Sequence, residues 1–198
     1  MANFDLYFPK IKKHEGGYAN VAGDKGGETY FGITRKNFPT WSGWVAIDAL
    51  KAKAPIRRNT FLPTLEPYVK SFYLDSFWNR VKASTITSQP VADLYVDWLI
   101  HSGNVAISKV IETLKEMGAT TINGANAQVL HNKLIEKRTN FFKAIVARNP
   151  TQSKFLAGWL TRVNSFAKDV PQATSIAGTA AALIAGFFLL NLKYKWIK

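Results

Sequence analysis

The stretch KKHEGGYANVAGDKGGETYFGIT, residues 12–34, sets the reading of the whole chain. It holds two Gly-Gly pairs and three acidic side chains, Glu15, Asp24 and Glu28. Glycines and polar residues alternate there with Tyr18, Val21, Tyr30, Phe31 and Ile33, a pattern of turns and a small hairpin rather than of helix. Just upstream, Phe4, Tyr7, Phe8 and Ile11 recur at three- and four-residue intervals, which predicts a short helix leading into Glu15, with Pro9 in its first turn. A helix that ends at a carboxylate and meets a glycine-rich hairpin describes the rim of a cleft.

The chemistry of such a rim follows from solvation. Glu15, facing a cleft walled by Tyr18, Tyr30 and Phe31, is partly desolvated, so its pKa rises and it can hold a proton at neutral pH. Asp24 lies in a polar turn beside Lys25 and stays ionised. One protonated and one ionised carboxyl group are what glycoside hydrolysis uses. Thr29 offers a hydroxyl to orient a water between them. Gly16, Gly17, Gly26 and Gly27 permit left-handed backbone and close approach of a sugar chain, with Tyr18 and Tyr30 as the aromatic contacts. Glu28 is read as a surface charge. Spacing alone leaves a second reading open, a hairpin whose acids only cap helices and solvate turns.

Farther along, residues 35–82 are rich in proline and tryptophan and predict short helices with aromatic packing. Helical spacing returns at Val91, Leu94, Tyr95, Trp98 and Leu99, then at Ala106, Val110, Ile111 and Leu114, with a break at Ser102–Asn104. Two more helices are predicted over about 126–147 and 152–167, separated by Pro150. Asp97 reads as a buried acid hydrogen-bonded to backbone, and His14 as a solvent-facing neighbour of Glu15.

Composition changes after Asp169. The run VPQATSIAGTAAALIAGFFLLNL begins at Val170, ends at Leu192 and has no charged side chain. A bilayer core takes about 20 apolar residues in helix, so a transmembrane anchor is predicted, with Tyr194, Trp196 and lysines as an interfacial belt. The other reading is a buried C-terminal helix. Gly178, Ala182 and Gly186 recur every four residues and offer a face for weak self-association. The N-terminus lacks the apolar stretch of a cleaved secretory leader, so another export route is expected.

With 26 Lys and Arg against 13 Asp and Glu, the net charge of +13 favours anionic partners, such as wall polymers or lipid headgroups. The basic residues are scattered over several elements, which argues against nucleic acid. Cysteine is absent, and the three histidines lack metal-ligand spacing, so neither a metal nor a cofactor is expected.

The run HEGGYANVAGDKGGETYFGIT, with RKNFPTWSGWVAID behind it, resembles the glycoside hydrolase family 108 lysozymes. Their pattern is Glu-Gly-Gly-Tyr, then Asp-x-Gly-Gly-x-Thr and Gly-Ile. The resemblance implies cleavage of the β-1,4 bond between N-acetylmuramic acid and N-acetylglucosamine in peptidoglycan, with Glu15 as the catalytic acid. By similarity to phage-type lysozymes, Asp24 and Thr29 are the supporting pair, although their spacing is five residues where some phage enzymes have six. QPVADLYVDWLIHSGNVAISKVIETL and RTNFFKAIVARNPTQSKFLAGWLTRVNSF, with its Gly158, Trp159 and Arg162, are similar to the start and end of the peptidoglycan-binding domain often paired with this hydrolase. Here KEMGATTINGANA replaces the usual Asp-Gly-x-x-Gly loop, so that segment is also readable as purely structural.

The expected architecture is therefore a mainly α-helical, lysozyme-like α+β fold with a small hairpin beside the catalytic Glu. Residues 1–88 form the catalytic lobe, 89–169 a helical lobe packed on it, and 170–198 a transmembrane helix and basic tail. The expected activity is that of a membrane-anchored muramidase working on the wall side of a bilayer. The alternatives are a lytic transglycosylase using the same Glu, or an inactive wall-binding or virion structural protein.

Overall fold

The computed structural model describes residues 1–21 and 27–171. Helix α1 (Phe4–His14) starts at Asn3, whose side chain accepts from the Asp5 N–H at 2.8 Å, and buries Phe4, Tyr7, Phe8 and Ile11. Pro9 sits inside the helix rather than in its first turn. Its ring lies on the exposed side, away from the core. Glu15 closes the helix with an extended backbone, its N–H bonded to the Ile11 carbonyl at 3.0 Å.

Strands β1 (Tyr18–Ala19), β2 (Thr29–Tyr30) and β3 (Ile33–Thr34) form a small antiparallel sheet in that order, with Tyr18 opposite Tyr30 and Tyr30 opposite Ile33. β2 and β3 are joined by Phe31 and Gly32, both at positive φ (54° and 75°), the two-residue turn whose twist suits a hairpin. Glu28 anchors the base of this hairpin rather than standing on the surface. Its carboxylate accepts from Lys51 and from the Tyr18 hydroxyl, each at 2.8 Å, and also from Arg35. Burial pushes its pKa up, but the bonds from Lys51, Tyr18 and Arg35 outweigh that and hold it below the usual value.

Helix α2 (Gly43–Lys51) and helix α3 (Glu66–Tyr73) follow, the latter running into a π-helical turn (Leu74–Trp78). Helix α4 (Gln89–Ser102) is the centre of the molecule: every residue from 91 to 99 is buried, including Asp93 and Asp97. The apolar spacing predicts a one-sided stripe, but α4 is enclosed by α5 (Asn104–Glu116), α6 (Ala127–Arg148), α7 (Ser153–Ala167) and the π turn, so all its faces are packed. One hydrophobic cluster runs from Ala2 to Phe166, through both predicted lobes. Lys10 ties α1 to buried Asp93 on α4 at 2.8 Å and to Asp169, just past α7, at 2.6 Å.

Among the described residues no helix is long and apolar enough to cross a membrane. The predicted span, apart from its first two residues, and the Gly178, Ala182 and Gly186 face lie outside the described residues, as do Asp24 and Gly26.

Candidate active site

Glu15 stands four residues beyond Ile11, as the extended residue that caps α1, and its carboxyl meets Arg162 of α7. Only 18% of that side chain is exposed. Oε1 accepts from Arg162 Nη1 at 3.2 Å and Nη2 at 3.3 Å, across from α7. Burial pushes the Glu15 pKa above its ordinary value, against the opposing pull of the Arg162 charge and hydrogen bonds. The shift is toward the protonated form, in the direction that partial desolvation predicts.

On its other side Glu15 meets the hairpin turn. A Cβ on Gly32 would lie 2.5 Å from Glu15 Oε2 and 2.8 Å from the Tyr73 hydroxyl. Tyr73 is spoken for, since its hydroxyl donates to the Phe31 carbonyl at 2.7 Å and so holds the strained turn in place. Gly32 is required twice over, by its positive φ and by the nearness of the acid. Gly32→Ala is expected to cost about 1–2 kcal/mol of stability from the left-handed backbone. By pushing the carboxyl aside it should also lower glycan cleavage about a hundredfold. A melting curve and a turnover assay check both, and wild-type turnover in the variant contradicts this placement of the acid.

Arg162 does not act alone. Its Nε donates to both Asp97 oxygens at 3.1–3.2 Å and its Nη2 to Oδ1 at 2.8 Å. Asp97 Oδ2 accepts from Arg138 Nη2 of α6 at 2.7 Å, and the side chains of Asp97 and Arg138 are essentially solvent-free. Asp97 is therefore an ion-pair centre rather than an acid bonded to backbone, because two guanidinium groups reach it first. Burial alone would raise its pKa, but Arg138 and Arg162 hold it below the usual value. His101 lies 3.4 Å from Arg138, and burial with the two nearby guanidinium charges pushes its pKa down to about 4, so it is neutral at physiological pH. His14 is half-buried rather than solvent-facing, stacked on Phe166 and 3.5 Å from the Ser165 hydroxyl.

The other expected site residues divide. Gly16 and Gly27 face open space, and Gly27 has φ +67°. Gly17 serves a different purpose from the one expected: a Cβ there would lie 2.5 Å from the Thr60 carbonyl, because β1 pairs with residues 59 and 60. Tyr18 is buried and its hydroxyl is used by Glu28, while the Tyr30 hydroxyl both accepts from the Leu62 N–H and donates to its carbonyl. Thr29 donates to the Gly27 carbonyl at 3.1 Å.

Beside the turn lies a mostly apolar pocket of about 210 Å³, lined among others by Phe8, Lys12, Phe31 and Phe61. Phe8 and Lys12 are seven and three residues before Glu15 on α1, so this pocket runs along the same helix face. Phe61 stands 57% exposed at its edge, 6.0 Å from the Phe31 ring. A roomier groove of about 530 Å³ lies beside Trp41, Tyr68 and Phe72; Glu15 itself lines neither hollow, and the smaller one lies along the helix that ends at it. Among the described residues no three His, Asp or Glu side chains group to hold a metal ion.

Residues 8–103 match the glycosyl hydrolase 108 family model, a span that takes in Glu15, Thr29, Gly32 and Asp97. Over these residues the chain is similar to the glycosyl hydrolase 108 family. It is a glycoside hydrolase enzyme, and the match ends at Gly103, the residue that closes α4. A solved structure described as that of Brucella abortus SagA aligns over 84% of this chain and 92% of its own, at 22% identity and a TM-score of 0.53, and so shares the fold. No curated protein matches the chain significantly. Arg138 and Arg162 come from helices beyond the matched residues, yet they complete the surroundings of Glu15.

Proposed function

We propose that this glycoside hydrolase cleaves the glycan strand of peptidoglycan at the N-acetylmuramic acid to N-acetylglucosamine bond, with Glu15 as general acid. The observation that carries the reading is the Glu15 carboxyl at the end of α1, 18% exposed and set between Arg162 and the Gly32 turn. Glu15 gives its proton to the glycosidic oxygen, and the bond between that oxygen and the anomeric carbon breaks with its electron pair going to the oxygen. Water then adds to the anomeric carbon and gives up one proton. In this proposal Asp24, ionised, receives that proton, or supports the positive sugar while the Glu15 carboxylate takes the proton back, and Thr29 helps to place the water. Phe61, exposed beside the pocket along α1, supplies an apolar ring face for the sugar. The net charge of +13 favours the anionic wall. The helices after Gly103 act in this scheme as part of the hydrolase, through Arg162, rather than as a separate wall-binding unit.

Product analysis tests the reaction type. Purified peptidoglycan incubated with the full-length protein should gain new reducing ends on N-acetylmuramic acid. Formation of 1,6-anhydro ends would mean that the sugar's own hydroxyl attacks, as in a lytic transglycosylase, and the absence of new ends would contradict catalysis.

A further inference from the structure

We propose that Arg162 is a positioning residue for the general acid. Clamped by Asp97, it holds Glu15 Oε1, leaves the proton on Oε2 at the Gly32 side, and receives the negative charge that Glu15 acquires when that proton departs. The inference rests on the proposed role of Glu15 and deepens it. The geometry is specific. The guanidinium spends Nε and one edge of Nη2 on Asp97, which fixes its plane, and turns Nη1 and Nη2 toward one oxygen of Glu15. Asp97 is itself fixed by Arg138, so the clamp has a rigid back. Oε2 receives no bond from Arg162 and lies against Gly32, an exposed residue at the hairpin tip.

A lone buried arginine beside the acid would favour its ionised form and spoil it as a proton donor. Sharing the cation with Asp97 moderates that pull while keeping a donor in place for the carboxylate product. The charged and titratable groups around Glu15 are Arg162 from α7, Asp97 and His101 from α4, Tyr73 from α3, Tyr7 and His14 from α1, and Arg138 from α6. Both tyrosines are held well above their ordinary pKa by burial, and both histidines are pushed below theirs by burial and the nearby arginines. Arg162 is therefore the adjacent positive charge whose removal changes the balance.

Arg162→Gln and Arg162→Lys in the full-length protein test this through pH–rate profiles on soluble glycan fragments. Removing the cation leaves burial less opposed, so the basic limb of kcat should move up by about one pH unit. The maximal kcat should fall about a hundredfold, with KM nearly unchanged. Arg162→Lys, which keeps the charge but not the planar fork, should return the limb most of the way while recovering only part of kcat. A carbon NMR titration of the Glu15 carboxyl in the same variants should show the same upward movement without relying on turnover. A kcat loss with an unmoved limb and an unmoved Glu15 titration would make Arg162 merely structural and overturn the inference. A wild-type protein that releases no reducing ends would instead overturn the reading it rests on.

Discussion

Glu15→Gln should lower the release of reducing ends from peptidoglycan by roughly a thousandfold, within the range ascribed to positioned general acids. The amide is nearly isosteric and its oxygen still accepts from Arg162, so α1, the hairpin turn and the Asp97 clamp stay in place. What is lost is the transferable proton. Far-UV circular dichroism and the melting midpoint should match the wild type, which separates this loss from a folding defect. A variant that keeps more than about a tenth of wild-type activity would remove Glu15 from the role of acid.

Asp97→Ala should be the most destabilising single change in the described site. It strands Arg138, whose side chain has no exposed surface, and leaves Arg162 with only Glu15. Breaking a buried ion pair from one side costs about 3–5 kcal/mol, which for a chain of this size lowers the melting midpoint on the order of 10 °C. The pH dependence has a definite sign. The folded pKa of Asp97 lies below its unfolded value of 3.8, so its contribution is fully present above that value and is lost as pH falls through the folded pKa. Thermal melts of wild type and variant should therefore differ by a constant amount from neutral pH down to about pH 4 and converge only below it. Equal midpoints at pH 7 would contradict the clamp.

How much of this was legible in the residues depended on whether the signal was local. The α1 stripe at Phe4, Tyr7, Phe8 and Ile11 is periodic, and it leads the chain directly to Glu15 at the helix end. The hairpin was readable from its glycines, and the later helices from apolar spacing and from Pro150. Arg162 was not, because it meets Glu15 across 147 positions and no periodicity marks such a pair. A signal did exist in α4, where Asp93 and Asp97 interrupt an otherwise apolar helix. Acids enclosed on all sides need cations, and the structure supplies Lys10 to one and Arg138 with Arg162 to the other. Glu28 departs from its sequence reading for the reverse reason: a charge in a polar turn looks solvated until Arg35, Lys51 and Tyr18 converge on it. Gly17 looked like a floor for substrate, yet its lack of a side chain admits the backbone at residues 59 and 60 instead.

Catalysis by this site turns on the protonation of one carboxyl. A pH titration of the Glu15 side-chain carbon resonance in the wild-type protein measures it directly. The expected midpoint is clearly above the ordinary glutamate value of 4.5, because burial outweighs Arg162. A midpoint at or below 4.5 would mean that Arg162 holds Glu15 ionised, and that it is not the acid that starts the reaction.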